Sequence, residues 1–152
     1  MTGPRFACDE QLGRLAKWLR LQGFDTLFEC PADDSQLIRQ AQSEGRVLLT
    51  RDRNLEAKTL WPHVIVIEAT NYGKQLHELQ KKVRLPKGKA FTRCLDCNVR
   101  IEPISKEKVE GKVPEEVYKS YSAFYTCPGC RKIFWRGSHV KHSALRLRRF
   151  LG

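Results

Sequence analysis

A chain of 152 residues that is 41% hydrophobic and 30% charged is too apolar to be a disordered polymer, and it is long enough for one medium domain or two small ones. No run of eighteen apolar residues occurs, which excludes a membrane-spanning helix, and the opening MTGPRFACDEQ does not have the form of a secretion signal. The net charge of +11 is unevenly placed. The first 116 residues hold 20 basic groups against all 17 acids, whereas Lys119, Arg131, Lys132, Arg136, Lys141, Arg146, Arg148 and Arg149 follow the last acid, Glu116.

Residues 5–9, RFACD, predict a short buried strand that ends on an acid. Residues 11–22 place Leu12, Leu15, Ala16 and Leu19 at helical spacing, with Arg14, Lys17 and Arg20 away from that stripe and Gly23 as terminator. Residues 25–29 predict a second strand. A helix then starts at Asp33 or Asp34, carries Leu37, Ile38 and Ala41, and stops at Gly45. The apolar run 47–50 is a third strand, running into Arg51 and Asp52. A short helix over 54–60, a strand over 63–68 and a helix from about Gln75 to Val83 complete the series. Alternating strands and helices with fully apolar strands predict an α/β fold, a parallel sheet flanked by helices on both faces. Pro86 and Gly88 interrupt the pattern, so residues 86–93 read as a linker between an α/β domain at 1–85 and a smaller module at 94–152.

That module is organised around two CxxC pairs, Cys94–Cys97 and Cys127–Cys130, with 29 residues between them. Two such turns can each give two thiolates to one tetrahedral ion, and the loop between them tolerates insertion. Zn²⁺ is the expected ion, ahead of a redox pair or an iron–sulfur cluster. With four protein ligands no position is left for substrate, so its role is structural. Cys8 and Cys30 lack a CxxC partner and are expected as small buried hydrophobes. Without a secretion signal the six cysteines are expected reduced, in an intracellular compartment.

Asp9 follows the first strand and Asp52 the third. In a parallel sheet both project from the carboxyl edge, where ligands of open α/β sheets bind. Asp33 and Asp34 begin the intervening helix. Carboxylates gathered there repel unless a hard cation, Mg²⁺ or Mn²⁺, joins them. On spacing alone the plainer roles stand beside this one: Asp33 or Asp34 as a helix cap, Asp52 as a turn or cap residue.

The stretches FACDEQLGRLAKWLRLQGFDT, ADDSQLIRQAQSEGRVLLTRD, the pair CLDC and CPGC, and FWRGSH span Phe6 to His139. In combination they resemble the Mut-seven C-terminal ribonuclease family, a PIN-like nuclease domain followed by a zinc ribbon. The resemblance implies Asp9, Asp34 and Asp52 as catalytic metal-holding acids, with Asp33 as a candidate additional acid beside them. PIN-like domains commonly use three or four acids; Glu10 and Glu68 are the candidates for a fourth. The leading expectation is therefore a Mg²⁺- or Mn²⁺-dependent ribonuclease. Arg14, Lys17, Arg51 and Arg53 are its candidate phosphate contacts by position, and Arg131, Lys132, Arg136, Lys141, Arg146, Arg148 and Arg149 would grip RNA from the ribbon and tail. The alternative is a non-catalytic adaptor that binds RNA or a protein partner.

Overall fold

The computed structural model describes residues 3–28, 33–86 and 92–136, and within them the expected alternation holds. Strand β1 (Phe6–Cys8) passes through a 3-10 turn at Glu10–Leu12 into α1 (Gly13–Leu21). Then come β2 (Thr26–Phe28), α2 (Asp34–Glu44), β3 (Val47–Thr50), α3 (Arg53–Ala57), β4 (Val64–Val66) and α4 (Tyr72–Lys82). All neighbouring strands pair in parallel, in the order β2-β1-β3-β4.

The period-two alternation of a strand divides the core between two faces. Phe6, Cys8 and Leu49 pack on one face with Leu12, with Leu15, Ala16 and Leu19 of α1, and with Leu76 and Leu79 of α4. Ala7 and Leu48 turn to the other face, against Leu37 and Ala41 of α2 and Leu55 of α3. Each fully buried leucine contributes about 1.5–3 kcal/mol by leaving water. Where α1 crosses β2 the approach is close: a Cβ on Gly13 would meet the Phe28 ring at 2.9 Å.

The helix boundaries follow from capping. Asp33 Oδ1 accepts the Ser35 N–H at 2.8 Å to open α2, and Gly45, at φ 65°, closes it in the left-handed region that a side chain disfavours. Helix α4 begins at Tyr72, earlier than its apolar periodicity shows, because Asn71 caps it by accepting the Gly73 N–H at 2.8 Å. Arg20 departs from expectation. It lies off the leucine stripe, yet it is only 5% exposed, because another part of the chain covers it.

The cysteine-bearing part contains β5 (Glu102–Ile104), α5 (Lys106–Val109), α6 (Glu115–Ser120), β6 (Phe124–Thr126) and β7 (Ile133–Phe134), with an antiparallel sheet ordered β5-β6-β7. The two short helices were not expected, since four and six residues are too few to show a helical stripe. Val109 is buried, Lys106 Nζ sits 4.8 Å from the Tyr118 ring centre, and Glu115 pairs with Lys119 at 3.0 Å. No described helix is long and apolar enough to cross a membrane.

Candidate active site and metal centre

The strand order fixes where a site belongs. From β1 the chain moves outward to β2; from β3 it moves outward in the opposite direction to β4. The crevice at the carboxyl ends of β1 and β3 is therefore the point where connections diverge, the usual ligand position in open α/β sheets. Asp9 and Asp52 follow those two strands.

Asp9 is 7% exposed and held by three donors. Its Oδ1 accepts the Gln11 N–H at 3.0 Å; its Oδ2 accepts the Thr50 hydroxyl at 2.5 Å and the Arg51 N–H at 3.0 Å. Of its four lone-pair positions three are taken and one stays open. Thr50 Oγ1 also accepts the Asp52 N–H at 3.0 Å, so one buried hydroxyl ties the two acids together. Asp52 in turn caps α3, accepting the Asn54 N–H at 2.8 Å through Oδ1. Thr50 was not singled out from sequence; the available signal was a polar residue closing the apolar run VLLT.

Asp34 is exposed in the first turn of α2, beside the capping Asp33. The Arg51 guanidinium donates to the Glu68 carbonyl at 3.3 Å, and its Nε is buried with no hydrogen-bond partner. Arg53 pairs with the Glu68 carboxylate, and Glu78 accepts the Glu68 N–H at 2.9 Å. Arg14 and Glu10 are exposed. Among the described residues, the four cysteines alone form a group of three or more potential ligand atoms all within 4.8 Å of one another; Asp9, Asp34 and Asp52 do not converge to that distance. All three acids are oxygen donors suited to a hard cation.

The sulfurs of Cys94, Cys97, Cys127 and Cys130 form a four-cysteine cluster that fits a zinc ribbon. Cys94 and Cys130 sulfurs are 3.8 Å apart, close to the roughly 3.8 Å edge of a tetrahedron with 2.3 Å Zn–S bonds. The two turns are built alike. The N–H of Asn98 reaches back to the Cys94 carbonyl at 2.9 Å, and that of Arg131 to the Cys127 carbonyl at 2.8 Å. Asn98 and Arg131 both adopt the left-handed conformation, at φ 64° and 63°. Without a cation, crowded thiols cannot all ionise. A hydrogen bond with Cys130, then burial, pushes Cys97 up to about 12. At Cys127 burial pushes upward, but the N–H groups of Cys130 and Gly129 outweigh it and bring the thiol down to about 7.

The first cysteine turn docks on the α/β unit. Arg20 Nε donates to the Thr26 carbonyl at 2.9 Å, while Nη1 reaches the Leu95 and Asp96 carbonyls at 2.7 and 3.2 Å. Asn98 accepts the Thr26 N–H at 2.9 Å and donates to Asp25 Oδ1 at 2.7 Å. Asp25 also receives Arg46 Nη1 at 2.8 Å; burial would raise this acid, but the bonds from Arg46 and Asn98 hold it below the ordinary carboxyl value. Arg93 donates to the Gly23 and Asn98 carbonyls. Lys17 and Lys132 both face Asp96, so these two expected RNA contacts sit at the docking seam. Arg131 and Arg136 are exposed. Trp135 meets the buried Phe124 edge-on, with ring centres 6.5 Å apart. Lys141, Arg146, Arg148 and Arg149, with Cys30, His139 and His142, lie outside the described residues.

Fold and site together define a class: a parallel α/β unit with acids at its switch point, carrying a four-cysteine ribbon. The chain belongs to the Mut7-C RNAse domain family, whose model matches residues 4–147, nearly the whole chain. That membership gives it a nuclease or other RNA-related role. No curated protein and no solved structure matches it.

Proposed function

We propose that the chain is a metal-dependent ribonuclease of PIN-like design, hydrolysing RNA phosphodiester bonds at the carboxyl edge of the parallel sheet. The carrying observation is the placement of Asp9 and Asp52 on either side of the switch point, joined through the Thr50 hydroxyl. Asp9, Asp52 and Asp34 would hold Mg²⁺ or Mn²⁺, with Asp33 beside them. A divalent cation bound there supplies an activated water and offsets charge on the phosphodiester. The chain's own contribution is to fix Asp9 through three hydrogen bonds and to hold the Asp52 carboxylate at the start of α3. Arg51 brings a guanidinium to the same edge, its Nη2 on the Glu68 carbonyl at 3.3 Å in an exposed hydrogen bond that a phosphate oxygen could replace. In this reading residues 1–85 perform the chemistry, while the ribbon and tail at 94–152 grip RNA around a structural Zn²⁺.

Purified protein is expected to cleave single-stranded RNA with Mn²⁺ or Mg²⁺ and to stop with EDTA. Asp9→Asn and Asp52→Asn should each lower single-turnover cleavage by at least about a hundredfold, the scale of losing a metal-ligand charge or its support, while circular dichroism stays unchanged. Equal cleavage by wild type and both variants would assign the activity to a contaminant. The separation of the three acids favours a second reading, a non-catalytic adaptor that binds RNA or a protein. Metal-independent RNA binding without cleavage would select it.

A further inference from the structure

Helices α1 and α4 both leave the carboxyl edge of the sheet, and they bring two aromatic rings together there. Trp18 and Tyr72 stack with ring centres 5.8 Å apart and planes within 12°. The other aromatic pairs among the described residues meet edge-on: Phe6 with Phe24 at 82°, Trp61 with His63 at 75°, Phe124 with Trp135 at 61°. The Arg14 guanidinium lies over the Tyr72 ring, 5.6 Å from its centre. Both stacked rings are half-buried, and Arg14 is exposed.

At 100° per residue, Arg14 and Lys17 lie on the side of α1 away from buried Leu15, Ala16 and Leu19, and Trp18, 40° from Arg14 and 60° from Leu15, stands at the margin between that side and the core. The ribbon borders this strip at Lys17, whose Nζ is 3.9 Å from Asp96, and α4 borders it at Tyr72. The strip begins beside the acidic edge, since Arg14 lies five residues after Asp9. Exposed cations next to half-buried, flat π-faces are the chemistry that binds unpaired nucleobases and their phosphates, with little base preference.

The geometry points to a nucleobase subsite: Trp18 and Tyr72 form a stacking platform for one unpaired base of the RNA, and Arg14 takes the adjoining phosphate. This rests on the ribonuclease reading and extends it by fixing how the strand is held beside the acids. Because Trp18 also packs against the core, Trp18→Phe keeps a ring and Trp18→Leu keeps apolar bulk without one.

The test is abasic scanning of a short single-stranded RNA, with affinity measured for the full chain and these variants in Ca²⁺ in place of Mg²⁺ or Mn²⁺. In wild type and Trp18→Phe, removing the base at one position should weaken binding roughly tenfold, the scale of a single base–aromatic stack. Trp18→Leu should bind intact and abasic RNA equally. Quenching of tryptophan fluorescence by RNA should be reduced in Trp18→Leu and retained in Trp61→Phe. No sensitive position in wild type, or the same abasic loss in Trp18→Leu, would overturn the platform while leaving ribonuclease activity standing. Failure of wild type both to bind and to cleave RNA would overturn both. If Trp18→Leu does not fold, wild-type scanning and the quenching difference between Trp18→Phe and Trp61→Phe decide the matter: equal quenching changes in both would overturn the platform.

Discussion

Thr50 closes an apolar strand with a hydroxyl that donates to the Asp9 carboxylate and accepts the Asp52 N–H. Thr50→Val keeps the shape but leaves a buried carboxylate oxygen short of a donor and an N–H short of its acceptor. The expected cost is about 1–3 kcal/mol in urea unfolding, together with slower single-turnover cleavage; Thr50→Ser should restore both. Unchanged stability and rate in Thr50→Val would remove the hydroxyl from the account. The places of Asp9, directly after the first strand, and Asp52, two residues after the third, were legible in sequence, because residues just past the ends of parallel strands lie at the carboxyl edge of the sheet. Sequence did not reveal Thr50, whose role depends on the facing strand. Cys8 was legible as a buried hydrophobe: it is fully buried, and burial keeps its thiol neutral.

Helix α1 shows what a pattern of apolar residues can and cannot specify. Its leucines and Gly23 located it correctly, yet Arg20, away from the stripe, is covered by the first cysteine turn and donates to the Leu95 and Asp96 carbonyls. A hydrogen bond that spans 75 residues of chain leaves no mark in local periodicity. The sequence reading placed a linker at 86–93 between the α/β domain and the cysteine module; among the described residues the first cysteine turn is hydrogen-bonded to both α1 and β2. Burial lowers the affinity of Arg20 for its proton, so its carbonyl acceptors are what make its charge tolerable. Arg20→Met should therefore destabilise the chain by roughly 2–4 kcal/mol, as charged hydrogen bonds are removed and carbonyls are left unpaired. Stripping zinc with a chelator should lower amide-exchange protection in α1 and β2 as well as in the ribbon. Full protection of α1 after zinc removal would show that the docking does not depend on the metal.

Over the whole molecule, the β-α alternation was enough to forecast a parallel sheet with two covered faces. The order β2-β1-β3-β4 was not, since pairing between strands depends on connections that composition does not record. Charge asymmetry was legible directly, and it argues for a polyanion held near the C-terminus. A chain ending at Ser143 lacks Arg146, Arg148 and Arg149 but keeps every thiol ligand and every proposed catalytic acid. Its RNA affinity should fall, and the slope of log affinity against log salt should become shallower by roughly 0.7 for each phosphate no longer neutralised, while the rate on saturated RNA stays the same. Identical slopes would turn the tail toward an acidic protein surface instead. The central claim, that the acids at the switch point hold a catalytic cation, is tested most directly by titrating Mn²⁺ into zinc-loaded protein by electron paramagnetic resonance. The account predicts saturable Mn²⁺ binding in wild type, abolished in Asp9→Asn and Asp52→Asn with the zinc content unchanged. Equal Mn²⁺ binding by all three proteins, or none in wild type even with RNA present, would contradict it.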